Sequence, residues 1–105
     1  MANPVYKEFM SEYSEASALV KWANRLVRGG KMDEATVVLR RAERAMPSET
    51  LLRQAKEAAP LRMAWRVSTY GYNREVHLEK LTPVRELRRL KRELAEAATG
   101  TGHVQ

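Results

Sequence analysis

The residues in this sequence that could do chemistry are cations, and five of them crowd into the stretch VRELRRLKR: Arg85, Arg88, Arg89, Lys91 and Arg92. Side chains that neutralise phosphates release the counterions condensed around a nucleic acid, so a dense cationic helix face favours a polyanionic partner. The alternative is a solvated helix face on which arginines pair with glutamates one turn away. Two such pairs have suitable spacing: Arg89 with Glu93, and Arg92 with Glu96.

A second group of cations lies with aromatic residues in the stretch LRMAWRVSTYGYNREVHLEKLTP. Aromatic and β-branched residues alternate with polar ones there, and the tetrapeptide YGYN interrupts the alternation. This pattern predicts a β-hairpin arm over residues ~61–81. Its arginines would contact phosphates, while Tyr70 and Tyr72 at the tip would stack on unpaired bases or sugars. These arginines are Arg62, Arg66 and Arg74.

Residue types that support catalysis or metal binding are scarce. The chain has no cysteine, two histidines and a single aspartate, Asp33. The sequence therefore predicts no enzyme, no catalytic residue, no metal site, no cofactor and no small-molecule substrate. No apolar run reaches membrane-spanning length, so a membrane partner is not expected either. The net charge of +6 over 105 residues again favours a polyanionic partner.

The elements that would position these side chains are mainly helices. We expect one domain over residues 1–105, with an irregular lead-in at 1–13 and a flexible tail at 99–105. The first helix should begin near Ser14 or Ser17 and end at the Gly29-Gly30 pair. Helical spacing and capping residues then predict a second helix over about 32–45 and a third from the cap Ser48 to about 59. A last helix should start at the Thr82 cap, which gives an α+β fold with about four helices and one hairpin.

The first helix contributes both core and candidate site residues. Its apolar stripe should be buried, Trp22 included, and consists of Ala18, Leu19, Trp22, Ala23 and Leu26. Another face carries Lys21, Arg25 and Arg28. Arg28 and Lys31 flank the glycine turn, where the N-terminus of the next helix could add to phosphate binding.

One part of the helical region is similar to half of a tetratricopeptide repeat. The stretch GKMDEATVVLRRAERAMP places a glycine, two alanines, a large residue and a proline at that family's spacing. These are Gly30, Ala35, Leu39, Ala42 and Pro47. The similarity implies two antiparallel helices in close contact, and a helical protein-interaction module is the alternative function. No second copy follows, although such repeats need about three copies to bury a core.

A longer resemblance is to the small-subunit ribosomal protein seven family of bacteria and organelles. The stretch ALVKWANRLVRGGKMDEATVVLRRA resembles that family's opening helices at Trp22, Asn24, Arg28, Gly30, Lys31 and Ala35. The stretch from Gln54 to Pro83 is similar to its third helix and hairpin at Ala55, Pro60, Gly71, Val76, Leu78 and Glu79. The stretch LKRELAEAATGTGHV resembles a later helix at Glu93, Leu94, Ala97, Ala98, Gly100 and Gly102. The last helix also aligns with the family's helix directly after the hairpin, so two alignments stay open.

This resemblance implies a structural, non-catalytic protein that binds ribosomal RNA in the head of the small subunit. Neighbouring small-subunit ribosomal proteins would be its other partners. Its location would be the ribosome of the cytoplasm or of an organelle, mitochondria included, although the N-terminus has no clear presequence. The residues expected to contact RNA are Arg28, Lys31, Arg62, Arg66, Tyr70, Tyr72, Arg74, Arg85, Arg88, Arg89 and Arg92.

Overall fold

A computed structural model describes residues 4–58 and 77–100, and all regular structure in these ranges is helical. The elements are α1 (Pro4–Arg28), α2 (Met32–Ala45), α3 (Glu49–Ala58), a 3-10 turn (Leu78–Lys80) and α4 (Thr82–Gly100). The predicted second and third helices are confirmed, and their predicted bounds hold to within one residue. None of the helices in the described part of the chain combines the length and apolar character needed to span a bilayer.

The prediction of an α+β fold with a hairpin arm is wrong. Residues 4–58 and 77–100 contain no strand, and the end of the predicted hairpin forms the 3-10 turn. The backbone N–H groups of Lys80 and Leu81 bond to carbonyls three residues back, at 2.9 and 3.1 Å. Leu78 and Leu81 are three residues apart, which suits the period of a 3-10 turn and not the two-residue period of a strand. Residues 61–76 of the predicted hairpin lie outside the described residues.

Helix α1 begins at Pro4, ten residues before the predicted start at Ser14, so most of the expected lead-in is helical. Proline suits a helix start because its fixed φ is already helical and its missing N–H would have no partner there. Phe9 continues the apolar stripe of α1 towards the N-terminus and is 0% exposed. Packing of this residue in the core accounts for helix through residues 4–13.

The buried stripe of α1 differs from the predicted one by a rotation about the helix axis. Its buried members are Phe9, Ala16, Val20 and Ala23. Leu19 and Leu26 are half-buried, whereas Ala18 is exposed. Trp22, which we expected in the core, is 41% exposed. The small residues Ala16 and Ala23 face the core, where α2 packs against α1. The indole of Trp22 therefore lies at the edge of the contact between the two helices.

The turn between α1 and α2 is a Schellman motif. The N–H of Gly30 bonds to the carbonyl of Val27 at 3.0 Å, and the N–H of Lys31 bonds to that of Leu26 at 2.9 Å. Gly30 has φ +79°, the left-handed conformation that this motif needs and that glycine adopts without a Cβ clash. So short a turn makes α1 and α2 an antiparallel pair.

Helices α3 and α4 begin at residues that satisfy their first backbone N–H groups. Ser48 caps α3 as predicted, because its Oγ accepts a bond from the N–H of Leu51 at 3.0 Å. Leu81, and not Thr82, is the residue that flanks α4, since it is extended and its carbonyl accepts the N–H of Arg85.

The core consists of two apolar clusters that Met46 joins, since it packs against both. The first lies between α1, α3 and the start of α4 and contains Phe9, Leu52, Ala55, Leu81 and Val84. The second lies between α1, α2 and the middle of α4 and contains Val20, Ala23, Val38, Leu39, Ala42, Leu87 and Leu90. Helix α4 contributes to both clusters, so its position relative to α1 is fixed along much of its length.

Candidate nucleic-acid interface

Helices α1 and α4 run side by side in the same direction. The side chains of Tyr13 and Thr82 are hydrogen-bonded near the start of α4. About two turns further along α4 and three turns further along α1, Nη2 of Arg89 donates a hydrogen bond to Oδ1 of Asn24 at 3.2 Å. Because earlier residues of α1 contact earlier residues of α4, the two helices are parallel.

Arg89 is the polar link between the two helices. Besides its bond to Asn24, its Nη2 donates to Oε1 of Glu86 at 2.8 Å, and its Nη1 donates to Oε2 of Glu93. The pair with Glu93 is one of the two that the sequence suggested as an alternative to RNA contact. The guanidinium is thus engaged on three sides within the protein, so Arg89 is not a free phosphate contact.

The electrostatic surroundings of Glu86 include exposed cations from both helices. The hydrogen bond from Arg89 lowers the pKa of Glu86, although partial desolvation opposes this. The charges of Arg89, Arg85 and Arg28 lower that pKa further. Arg28 belongs to α1 and Arg85 to α4, so the Glu86 carboxylate lies within electrostatic range of one cation from each helix.

The two rows together form what we name the α1–α4 basic face, made of Lys21, Arg25, Arg28, Arg85, Arg88 and Arg92. The residues of α1 are spaced by four and three positions, those of α4 by three and four, so each row follows one side of its helix. All six side chains are exposed. Within residues 4–58 and 77–100 none of them takes part in a side-chain hydrogen bond or ion pair. The face therefore presents six positive charges to solvent, and the Glu86 carboxylate partly offsets those of Arg28 and Arg85.

The structure places the predicted RNA contacts in three different situations. Exposed positions are found for Arg28, Lys31, Arg85, Arg88 and Arg92. Arg89 is half-buried and paired, as described above. Outside the described residues lie Arg62, Arg66, Tyr70, Tyr72 and Arg74. Lys91, in the same cationic stretch, is turned towards α2, where its Nζ lies 2.7 Å from Oε2 of Glu43.

The sequence predicts that the N-terminus of α2, beside Arg28 and Lys31, adds to phosphate binding, but acidic side chains lie at that N-terminus. Asp33 and Glu34 occupy the first turn of α2. Acidic side chains there already interact favourably with the positive end of the helix dipole, and they repel a phosphate. Lys31 itself makes no side-chain cap for α2. Phosphate binding is therefore better served by the row of α1 than by the start of α2.

Two members of the basic face, Lys21 and Arg25, were not among the predicted RNA contacts. Their spacing with Arg28 was visible in the sequence. What the sequence lacked was the position of α4, whose parallel packing brings a second row alongside the first. A cationic row on a single helix is commonly just a solvated surface, whereas two adjacent rows concentrate the field.

A groove of about 500 Å³ separates α1 from the start of α4, next to the basic face. Its lining consists of Met10, Tyr13, Ser14, Ser17, Ala18, Val20, Lys21, Thr82, Pro83 and Glu86. Lys21 belongs to both the groove and the basic face, so the two are continuous. Burial raises the pKa of the Tyr13 phenol, while its hydrogen bond with Thr82 lowers it.

No family model, curated protein or solved structure matches this chain. In the described ranges, no group of three or more histidine, aspartate or glutamate side chains is arranged to hold a metal ion. The candidate site is accordingly defined by the basic face and the adjoining groove.

Proposed function

We propose that the chain is a non-catalytic RNA-binding protein that holds structured RNA against the α1–α4 basic face. The observation that supports this most directly is the set of six exposed cations on two parallel helices, none of which has an internal partner in the described ranges. Arg89 shows the contrasting case of a cation that glutamates one turn away engage within the protein. The cations of the basic face are left available for phosphates.

Ribosomal RNA is the target that the resemblance in sequence implies, with small-subunit ribosomal proteins as neighbours. The basic face is compatible with that target because a structured RNA offers phosphates from more than one strand segment. Two packed helices lie about 8–10 Å apart, so the two rows can contact separate segments of backbone. Co-sedimentation of the chain with small ribosomal subunits tests this part of the proposal. Its absence would contradict the ribosomal target but not RNA binding itself.

The RNA-binding proposal is tested by filter-binding titration against a structured RNA at several salt concentrations. Six phosphate contacts would give a slope of log K against log salt of about −4 to −5. Reversing two charges with Arg88→Glu and Arg92→Glu should weaken binding and reduce the magnitude of this slope. Binding that is absent, or that does not depend on salt, would sink the proposal.

A matched control for that variant exists on α2. Arg40 and Arg44 have the same spacing as Arg88 and Arg92, are exposed, and belong to α2 rather than to the two helices of the basic face. Arg40→Glu with Arg44→Glu changes the net charge equally and should leave the salt slope close to that of the unaltered protein. Equal effects of the two double variants would show that only net charge matters.

A helical protein-interaction module is the second candidate. The observation in its favour is the antiparallel α1–α2 pair, whose Gly30 turn and buried alanines follow the tetratricopeptide spacing, together with the exposed Trp22. This candidate expects Trp22→Ala to abolish binding to a protein partner. The RNA-binding proposal expects the same variant to keep its RNA affinity.

A further inference from the structure

The groove between α1 and α4 offers hydroxyl groups that have no partner within the described part of the protein. Ser14 and Ser17 are one turn apart on α1 and form one wall, and neither makes a side-chain hydrogen bond there. Lys21 follows one turn later on the same wall. The wall therefore carries two free hydroxyls and then an ammonium group, in line along the helix.

The rest of the groove is apolar or already engaged. Met10, Val20 and Pro83 supply its apolar lining. Tyr13 and Thr82 are bonded to each other, and the Glu86 carboxylate is bonded to Arg89, so the serine wall carries the hydroxyls without a partner in the described residues. Sites for small organic groups typically combine an apolar lining with a few placed polar groups in about 300–1,000 Å³, and the 500 Å³ of this groove falls in that range.

Resting on the proposed RNA binding, we propose that this groove receives one unpaired ribonucleotide of an RNA strand that lies along the basic face. Its base rests on the apolar lining, its 2′-hydroxyl bonds to Ser14 and Ser17, and a flanking phosphate lies at Lys21. A 2′-hydroxyl both donates and accepts hydrogen bonds, as a serine hydroxyl does, and it is the group that distinguishes RNA from DNA. The basic face supplies affinity for any backbone, and the groove supplies the preference for ribose.

Fluorescence anisotropy with a single-stranded RNA and a DNA of the same sequence, carrying deoxyuridine for uridine, tests this assignment. The unaltered protein should bind the RNA more tightly. Ser14→Ala with Ser17→Ala should lower RNA affinity by about fivefold for each hydrogen bond lost and leave DNA affinity unchanged. Ser11→Ala is the matched control, because Ser11 is exposed on α1 but does not line the groove.

A second variant tests the same groove without removing a polar group. Ala18 is exposed and lines the groove, so Ala18→Phe should occupy part of its volume while keeping every cation of the basic face. The RNA preference should fall and the salt slope should stay the same. Equal affinity of the unaltered protein for RNA and DNA, or an unchanged ratio in both groove variants, would overturn the nucleotide site but not RNA binding. Absence of binding to the single-stranded RNA alone would overturn the nucleotide site, whereas absence of binding to structured RNA as well would overturn the proposed function with it.

Discussion

Nη2 of Arg89 in α4 lies 3.2 Å from Oδ1 of Asn24 in α1 and donates a hydrogen bond to it across the contact between the two helices. This bond joins residues 65 positions apart in the chain. It connects the two helices at the level where the two cationic rows lie side by side. Packing of Leu87 and Leu90 in the second cluster holds α4 in place, and the bond adds a polar contact beside it.

Removing this bond should cost a modest amount of stability. We expect Asn24→Ala to lower the free energy of unfolding by about 0.5–1.5 kcal/mol, since a guanidinium donor loses a partner but keeps two others. A double-mutant cycle with Arg89→Met, measured by urea unfolding, should give a coupling of similar size. The same cycle with Arg88→Met, which removes an exposed and unpaired cation on the same helix, should give none.

The pH dependence of stability should reflect Glu86. Its pKa in the folded protein is lowered from the ordinary value of 4.5, first by the hydrogen bond from Arg89. A lowered pKa in the folded state means that the stabilisation is present above the unfolded pKa and is lost as the pH falls through the folded one. Because more than a third of each side chain in the pair is exposed, solvent screens it, and we expect the difference between the unaltered protein and Glu86→Gln to be below about 1 kcal/mol at neutral pH.

Urea unfolding of Glu86→Gln at about pH 7 and pH 3 checks this sign. The difference from the unaltered protein should shrink towards the acidic pH. Glu96→Gln on the same helix is the control, since Glu96 is exposed and without an ion pair in the described residues. A difference for Glu86→Gln that grew on acidification would contradict the assignment.

The middle helices could be predicted from sequence because their signals are local. The bounds of α2 and the Ser48 cap of α3 depend on nearby turn residues and on helical spacing. The start of α1 could not be predicted in that way, since it depends on Phe9 packing against Leu52 and Leu81, more than 40 residues away. The exposure of Trp22 likewise depends on which side of α1 the small α2 residues approach.

The candidate site shows the same division. The cationic stretch of α4 was evident from composition, and the pair of Arg89 with Glu93 from spacing. The bonds of Arg89 to Glu86 and Glu93 are local to α4, whereas its bond to Asn24 depends on how another helix packs. The predicted strand at Leu78 was wrong because β-branched and aromatic neighbours suggested a two-residue period, and the turn before α4 has a three-residue one.

Phe9 should be essential to stability although it lies where the sequence predicts an irregular lead-in. It is 0% exposed in the first apolar cluster, so Phe9→Ala should lower the free energy of unfolding by about 3–5 kcal/mol. Val37→Ala is the comparison, because Val37 is 57% exposed and should change stability by less than about 0.5 kcal/mol. Thermal or urea unfolding measures both, and a neutral Phe9→Ala would argue against packing of this segment.

The two glycines of the α1–α2 turn should respond differently to alanine. Gly30 has φ +79°, so Gly30→Ala should cost about 1–2 kcal/mol from backbone strain alone, since no atom lies within 4 Å of the added Cβ. At Gly29 the added Cβ would lie 3.4 Å from the carbonyl oxygen of Arg25 with ordinary backbone angles, so Gly29→Ala should be close to neutral. Urea unfolding of the two single variants makes the comparison, and equal costs would contradict the Schellman geometry.

The contribution of α1 to RNA binding is the sharpest test of the two-row arrangement. Replacing its row with Lys21→Gln, Arg25→Gln and Arg28→Gln should lower RNA affinity and reduce the magnitude of the salt slope by about 2–3, because each lost phosphate contact removes 0.7–0.9. The control replaces three exposed α2 cations with Arg40→Gln, Arg41→Gln and Arg44→Gln, which changes net charge equally. Titrations at several salt concentrations should show the reduced slope only for the α1 variant. A slope that responds to the α4 row but not to the α1 row would mean that a single helix, and not the pair, forms the binding surface.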